Sequence, residues 1–515
     1  MKAGRLVRGF LTVGLWTLGS RVLGFVRDMM MAAYLGTGPV AEAFMVAFSL
    51  PNMFRRFFAE GAFNMAFVPM FAKRVEAGED PHGLARDAFK GLFGVLFLFT
   101  ILGTMAMPWL VWAMAAGFVG DARFDMAVDF GRITFVYILF VSLVALLSGI
   151  LNTFGKFTEA SIVPILMNVM FILAMLAANQ AGWDMGTTLA WTVPATGVVQ
   201  FAFAWVAAHK LGYTLLPGRP RMTPELKRLL IIAGPAVLAG GVVQINLLVG
   251  RQVASFTEGA VAWLSYADRL YQLPLGVVGI AIGTVLLPTL SRHLRAGEEA
   301  EGRESFSRGA EFALFLTLPS AVALVVIAPQ LISVLYDRGA WRAEDTVATA
   351  LVLAIYGVGL PAFVLQKVLQ PVFYAREDTR RPFYYALVSM MVNAGAAIGL
   401  MPLIGFSAAA LGTTISGWVM LAQLWWGARN MGLSARPDAR FWKRLWRIAI
   451  ACAVMGVQLR YTADWLAPTL ADRGARWGAL GLLCGSGIVV YFLTAFALGV
   501  FGLAEFKANL RRRRK

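Results

Sequence analysis

The stretch Ser20-Arg21-Val22-Leu23-Gly24-Phe25-Val26-Arg27-Asp28 sets two guanidinium groups and a carboxylate inside an otherwise apolar run. On a helix Arg21, Gly24 and Asp28 lie three and four apart and share a face, while Arg27 points elsewhere. A second run carries Glu42, then Ser49-Leu50-Pro51-Asn52-Met53-Phe54-Arg55-Arg56, then Glu60 and Asn64. Asn52, Arg56, Glu60 and Asn64 recur every four residues and make one polar stripe. Further on come Arg251, Tyr266-Ala267-Asp268-Arg269 with Gln272 and Pro274, and Lys367 between Gln366 and Gln370. Each charge left facing lipid costs about 2.5–3.5 kcal/mol on insertion scales, so such residues are functional candidates by default. Seven are basic (Arg21, Arg27, Arg55, Arg56, Arg251, Arg269, Lys367) and four acidic (Asp28, Glu42, Glu60, Asp268). Arg27–Asp28 and Arg56–Glu60 are spaced for partial self-neutralisation, and structural ion pairs account for some of the set. The whole set keeps a surplus of three positive charges. A positive surplus at low dielectric calls for an anion, and the arginine fork fits phosphate oxygens bidentately. The expectation is a cavity for a phosphate or diphosphate, supplied mostly by the N-terminal part and Arg269.

Bond-breaking chemistry has no comparable signal. The sequence holds no P-loop, no HExxH and no cysteine cluster. His82, His209 and His293 fall in or beside loops without ligand spacing, and Cys452 and Cys484 sit in apolar runs. Gly276-Val277-Val278-Gly279 and Gly283 lie within helical pattern, where glycine serves close packing or bending. No enzymatic activity and no cofactor are expected.

The elements that position these residues are membrane helices. Of 515 residues 59% are hydrophobic and 15% charged, against about 25% charged in a soluble domain. About 20 apolar residues cross roughly 30 Å of hydrocarbon. Fourteen spans are expected near 6–34, 40–71, 88–117, 128–153, 160–179, 188–209, 225–250, 260–290, 309–328, 347–373, 381–401, 405–429, 443–467 and 477–505. A β-barrel is excluded, because its strands alternate and stay near ten residues. With the N-terminus in the cytoplasm, 32 of the 46 Lys and Arg fall in inside segments and seven in outside ones. That is the positive-inside distribution, so both termini are expected in the cytoplasm. The net charge of +17 then reflects loop bias and an anionic partner rather than nucleic acid, and the Arg511–Lys515 tail is expected to lie near anionic lipid. The basic N-terminus followed by an apolar run reads as a retained first span.

A weak self-match recurs at an offset of 219. Pro69 aligns with Pro288, Ala77-Gly78-Glu79 with Ala296-Gly297-Glu298, Tyr137 with Tyr356 and Phe154 with Phe373. Six spans separate equivalent positions, and an even number preserves orientation, so the halves are parallel repeats. The fold class expected is an all-α polytopic membrane protein with two pseudo-symmetric six-helix lobes, residues 1–218 and 219–435. Two added helices and a basic tail occupy 436–515. Two such lobes facing a cavity are transporter architecture.

The stretch Ser20 to Asp28, the block Leu50-Pro51-Asn52 through Arg55-Arg56, the phrase Phe58-Ala59-Glu60-Gly61-Ala62-Phe63, Ala66-Phe67-Val68-Pro69, and Tyr266-Ala267-Asp268-Arg269-Leu270 with Pro274 closely resemble the MurJ (MviN) family. This family is the lipid II flippases of the multidrug/oligosaccharidyl-lipid/polysaccharide (MOP) exporter superfamily, and the likeness covers essentially the whole chain. It implies translocation of undecaprenyl-diphosphate-linked disaccharide-pentapeptide from the cytoplasmic to the periplasmic leaflet of the bacterial inner membrane. It places Arg21, Arg27, Arg55 and Arg269 near the diphosphate. Asn52 and Arg56 match further positions of the substrate site, and Ser20, Asp28, Glu42, Glu60, Asp268, Gln272 and Lys367 support the cavity or its gating. Glu42 stands where the family commonly has aspartate, and Gln272 where some relatives have glutamate. Some relatives resemble sodium-coupled machines with acids on helices 7 and 11. Here those helices carry Gln244, Asn246 and Asn393, with Thr413 on helix 12, so Asn393 and Thr413 are only weak sodium candidates and the coupling ion stays open. The last two helices resemble the family's groove for the polyprenyl tail.

The mechanism expected is alternating access, with bends near Pro51, Pro274 and the glycines. Membrane potential supplies drive, at about 2.3 kcal/mol per charge per 100 mV. Expected partners are lipid II, membrane lipids and cell-wall synthesis or division proteins, and the chain is expected to be a monomer. The rivals are a flippase for another undecaprenyl-diphosphate-linked glycan, a cation-coupled multidrug exporter and a non-transporting scaffold. The arginine surplus argues against the exporter of cationic drugs.

Overall fold

The computed structural model describes residues 3–55, 62–219, 223–224, 226–229, 231 and 248–500. These residues are almost wholly helical, and no strand occurs among them. In lipid every backbone N–H and C=O must be satisfied internally, and long apolar helices do that without edges. Eight helical stretches among the described residues are long and apolar enough to cross a membrane. The chain is an integral membrane protein.

The chain divides into two compact units, residues 1–262 with 338–341, and residues 263–337 with 342–515. In the first unit the helices are α1 (Ala3–Leu35), α2 (Pro39–Arg55), α3 (Ala62–Ala77), α4 (Pro81–Met105), α5 (Met107–Met114), α6 (Ala122–Phe135), α7 (Tyr137–Thr153), α8 (Phe157–Ala181) and α9 (Met185–His209). α1 packs on α8, α2 on α6, and α7 and α8 on α9. This unit also takes in the segment beyond residue 248, where Gln252 accepts from the Ala116 N–H at 3.0 Å and Ser255 from the Gly117 N–H at 2.9 Å. The expected span at 225–250, with Gln244 and Asn246, lies almost entirely outside the described residues.

The second unit holds α10 (Ala260–Arg295, most of its length), α11 (Glu299–Val326), α12 (Ala328–Tyr336), α13 (Ala343–Tyr374), α14 (Arg380–Ile404), α15 (Ser407–Ala428), α16 (Ala439–Trp465), α17 (Ala467–Ala471) and α18 (Arg476–Ala497). α13 packs on α11 and α15, α14 on α15, and α16 on α11 and α18. α10 is a single helix through Pro274 and Gly276, and α2 is a single helix through Pro51.

The offset of 219 maps α4–α5 onto α11–α12, α6–α7 onto α13, α8 onto α14 and α9 onto α15. The matched glycines do matched work. Gly78 and Gly297 both take left-handed backbone, φ 67° and 74°. The following N–H closes the same turn in each, Glu79 to the Arg74 carbonyl and Glu298 to the His293 carbonyl. That is the Schellman closure of a helix end, in which glycine avoids the Cβ penalty. Gly120 and Gly339, also 219 apart, have φ 86° and 60°. The repeat is a repeat of backbone structure.

Candidate functional site

Arg27 is buried, 7% exposed, and it is already bound. Its Nε and Nη2 donate to Asp28 Oδ1 at 3.0 and 2.7 Å, and its Nη1 donates to Asn168 Oδ1 at 3.0 Å. Its guanidinium also lies 5.5 Å from the Phe171 ring centroid. Asn168, on α8, donates its amide to the Ser20 carbonyl at 2.9 Å. Gly24 lies against this amide, where an added Cβ would make only ordinary van der Waals contact, 3.5 Å from Asn168 Nδ2. Ser20, Arg27 and Asp28 are thus one buried network with Asn168 and Phe171, which stitches α1 to α8. Asn168 is missing from the sequence-derived set. Its only signal is a lone amide inside the apolar run of α8.

Glu42 is fully buried and belongs to a second network. Arg123 Nη1 donates to Glu42 Oε2 at 2.9 Å, and the Val261 N–H donates to Glu42 Oε1 at 3.0 Å. Arg123 also holds Asp121 at 2.6 Å and lies 4.4 Å from the Phe118 ring centroid. Arg123 is 5% exposed at the start of α6. Glu42 is therefore spent on Arg123 and on the backbone at the start of α10, and does not offset the arginines of α1 and α2.

Arg21 and Arg55 are half-buried on α1 and α2. Arg21 has no ion-pair or hydrogen-bond partner among the described residues. Asn52 returns its amide to the Phe48 carbonyl at 2.9 Å, within its own helix. Arg56 and Glu60 lie outside the described residues, and so does the side chain of Asn64.

In the second unit, α10 buries Tyr266, Leu270 and Tyr271 and exposes Arg269 and Gln272. The Tyr266 ring packs 5.1 Å from that of Tyr336, and Tyr271 packs 5.4 Å from Tyr356. These aromatics fix the roll of the helix. Gln272 donates to Asp268, so the residue at the amide-or-acid position orients a carboxylate. Lys367, exposed on α13, lies over Gly279, where a Cβ would stand 2.9 Å from Lys367 Cδ. Lys367 pairs with no carboxylate among the described residues.

The weak sodium candidates sit on packed helices, α14 and α15. Asn393 is fully buried, with Gly412 against its side-chain oxygen. Thr413 gives its hydroxyl to the Ala409 carbonyl at 3.0 Å. No group of three or more His, Cys, Asp or Glu able to hold a metal occurs among the described residues. The donors are neutral oxygens and do not fit a built cation site.

The second unit also contains an apolar groove of about 870 Å³. Its walls are α11, α13, α15 and the start of α16, with Leu318, Leu365, Trp425 and Trp442 among the lining residues. α18 does not line it but packs on α16 and reaches α11, where Tyr491 Oη donates to the Phe315 carbonyl at 2.7 Å. Of the last two helices expected to form a tail groove, the first contributes a wall and the second a buttress. α16 is pinned to α11 by Arg444 on Glu311 at 3.0 Å and by Arg308 on Asp438, and within α11 Arg308 also holds Glu311 at 2.5 Å.

Two helical units, buried arginine networks and an apolar side groove define a polytopic helical membrane protein. Solved structures share this fold. "Lipid II flippase MurJ, inward closed conformation" superposes with TM-score 0.79 at 23% identity, covering 95% of this chain and 99% of that one. An inward-facing MATE family transporter of the MOP superfamily superposes with TM-score 0.65 at 14% identity, covering 80% and 94%. Curated relatives are nearer in sequence. The probable lipid II flippases MurJ of Rhizobium tropici and Rhizobium meliloti are 44% and 45% identical, over 99% and 98% of this chain and 97% and 96% of theirs. The lipid II flippase MurJ of Burkholderia cenocepacia is 33% identical over 99% of this chain and all of its own length. The family model described as lipid II flippase MurJ matches residues 31–470, and the chain belongs to that family.

Proposed function

We propose that the chain is a lipid II flippase, carrying undecaprenyl-diphosphate-linked peptidoglycan precursor from the cytoplasmic to the periplasmic leaflet. The observation that carries this reading is how the buried charges are shared out. Asp28 is used by Arg27 and Glu42 by Arg123, which leaves Arg21 half-buried without a partner among the described residues. An unbalanced guanidinium in a membrane helix is costly unless a ligand brings the missing charge. Arg21, Arg55 and Arg269 are the residues assigned to the diphosphate. Arg27, held by three contacts, shapes the site and lends it field. The full-length relatives named as lipid II flippases support the same cargo.

The protein works by alternating access without covalent chemistry, as a monomer in the bacterial inner membrane with both termini in the cytoplasm. Membrane potential drives the charged steps. The apolar groove accepts the polyprenyl tail while the head group crosses. Cell-wall synthesis or division proteins are its neighbours.

The test is leaflet accessibility of lipid II in cells that depend on this chain. Replacing Arg21 and Arg269 together by glutamine should trap lipid II on the inner leaflet while the protein still accumulates in the membrane. Undiminished translocation would remove the diphosphate assignment. Build-up of a different lipid-linked glycan would point to the rival cargo.

A further inference from the structure

One end of the apolar groove carries cations that the protein's own acids do not cancel. Arg429 and Pro437, on either side of the α15–α16 connection, both line the groove. The Arg429 guanidinium lies 4.5 Å from the Trp426 ring centroid and donates no hydrogen bond among the described residues. Arg436 reaches back to the Arg429 carbonyl with Nε and Nη2, at 3.3 and 2.9 Å. Arg303 crosses from α11 to the carbonyls of Arg436 and Pro437, at 3.2 and 2.8 Å. Three guanidiniums are thereby fastened to one connection. Nearby carboxylates are engaged elsewhere, Glu299 with Arg376, Asp438 with Arg308, and Glu311 with Arg308 and Arg444. None of Arg303, Arg429 and Arg436 is ion-paired among the described residues.

A guanidinium has five N–H donors. Arg303 and Arg436 each spend two on backbone carbonyls, which fixes their planes and leaves donors over. Arg429 keeps all of its donors and is held only by its stacking on Trp426. Loop charge alone explains cations on this side of a membrane protein. It does not explain guanidiniums tied in place at the lip of an apolar slot. A hydrocarbon chain satisfies the slot and a phosphate satisfies the lip.

We infer that the groove and its arginine collar form a docking site for a polyprenyl diphosphate, the chain in the groove and the diphosphate on Arg429, Arg436 and Arg303. The inference rests on the flippase reading and extends it. The site is separate from Arg21, Arg55 and Arg269, and on the proposed topology it lies at the cytoplasmic face. It holds the carrier lipid before the head group is taken up. The occupant is this lipid rather than a bulk phospholipid, because a diphosphate offers the collar more acceptor oxygens than a phosphodiester.

The test uses the full-length chain in phosphatidylcholine nanodiscs, with Arg21→Gln and Arg269→Gln in place to silence the other arginines. The probes are a sugar-free polyprenyl diphosphate, the corresponding polyprenol and phosphatidylglycerol. The diphosphate should bind more tightly than the polyprenol. Arg429→Gln and Arg436→Gln should each weaken it about tenfold, as expected for a lost charge-assisted hydrogen bond. Polyprenol binding should not change, and Arg429→Lys should recover part of the loss. Ala422→Phe, filling the groove from an exposed position, should weaken both long-chain probes. Equal binding of diphosphate and polyprenol, or displacement of the diphosphate by an equal amount of phosphatidylglycerol, would overturn the inference. Lipid II accessibility in cells reports separately on the flippase reading: translocation that survives Arg21→Gln with Arg269→Gln sinks that reading and leaves the collar measurement standing.

Discussion

Glu42 and Arg123, 81 residues apart, form a 2.9 Å ion pair in which neither side chain is more than 6% exposed. The pair joins α2 to α6, and its second carboxylate oxygen holds the Val261 N–H. Removing one partner of a buried pair leaves a stranded charge and costs about 3–5 kcal/mol, whereas removing both costs less. Glu42→Gln and Arg123→Gln should each lower the unfolding midpoint in detergent strongly, and the double replacement should be less damaging than the sum. A strictly additive cycle would show that the two do not act as a unit.

Asn168 should matter although it bears no charge. Asn168→Leu removes an acceptor from buried Arg27 and a donor from the Ser20 carbonyl, and hydrogen bonds to charged groups are worth about 1.5–3 kcal/mol. The expected result is a lower thermal midpoint together with reduced lipid II translocation. Arg27→Lys should fail similarly, since one ammonium does not reproduce contacts made from Nε, Nη1 and Nη2. A lysine variant with wild-type midpoint and transport would contradict this account.

Gly120 and Gly339 offer a matched comparison. Both have positive φ, where a side chain costs roughly 1–2 kcal/mol. At Gly120 an added Cβ meets nothing within 4 Å, whereas at Gly339 it runs into the Ala33 carbonyl. Ala340 donates its N–H to that same carbonyl at 2.8 Å. Gly339→Ala should therefore destabilise clearly more than Gly120→Ala in paired thermal melts. Equal shifts would mean that the close approach at Ala33 yields freely.

Lys367 provides the opposite case. It is exposed and pairs with no carboxylate among the described residues, so Lys367→Gln should leave the thermal midpoint within about 0.5 kcal/mol of wild type, as for ordinary surface changes. If its charge serves the cargo, translocation should fall several-fold. Gly279→Ala, which crowds the lysine stem, should reproduce part of that fall. Full transport in both variants would remove Lys367 from the site.

What the sequence made legible follows the range of the interaction. Arg27 and Asp28 are neighbours in the chain, so their pairing could be read directly. The repeat could be read because Gly78 and Gly297 close helix ends locally, within five residues. Arg123 gave no sign of its partner, because charge counting sees a cation near a span end and cannot see a carboxylate 81 positions away. Asn168 gave no pattern, since its partners are 141 and 148 residues distant. The groove needs four helices that are separated in sequence, so hydropathy showed only that each was apolar. Its collar looked like ordinary loop charge until the backbone carbonyls that hold Arg303 and Arg436 were in view.

Residues 338–341 group with the first unit although the chain on both sides of them groups with the second. The polypeptide therefore passes between the units at 262–263, at 337–338 and again at 341–342. Residues 338–341 have no direct chemical bond to residues 1–262, so a nick at 262–263 would leave the two pieces of the first unit joined by packing alone, the Ala340 N–H on the Ala33 carbonyl at 2.8 Å among the contacts. The short detour is a clasp rather than a second covalent strap.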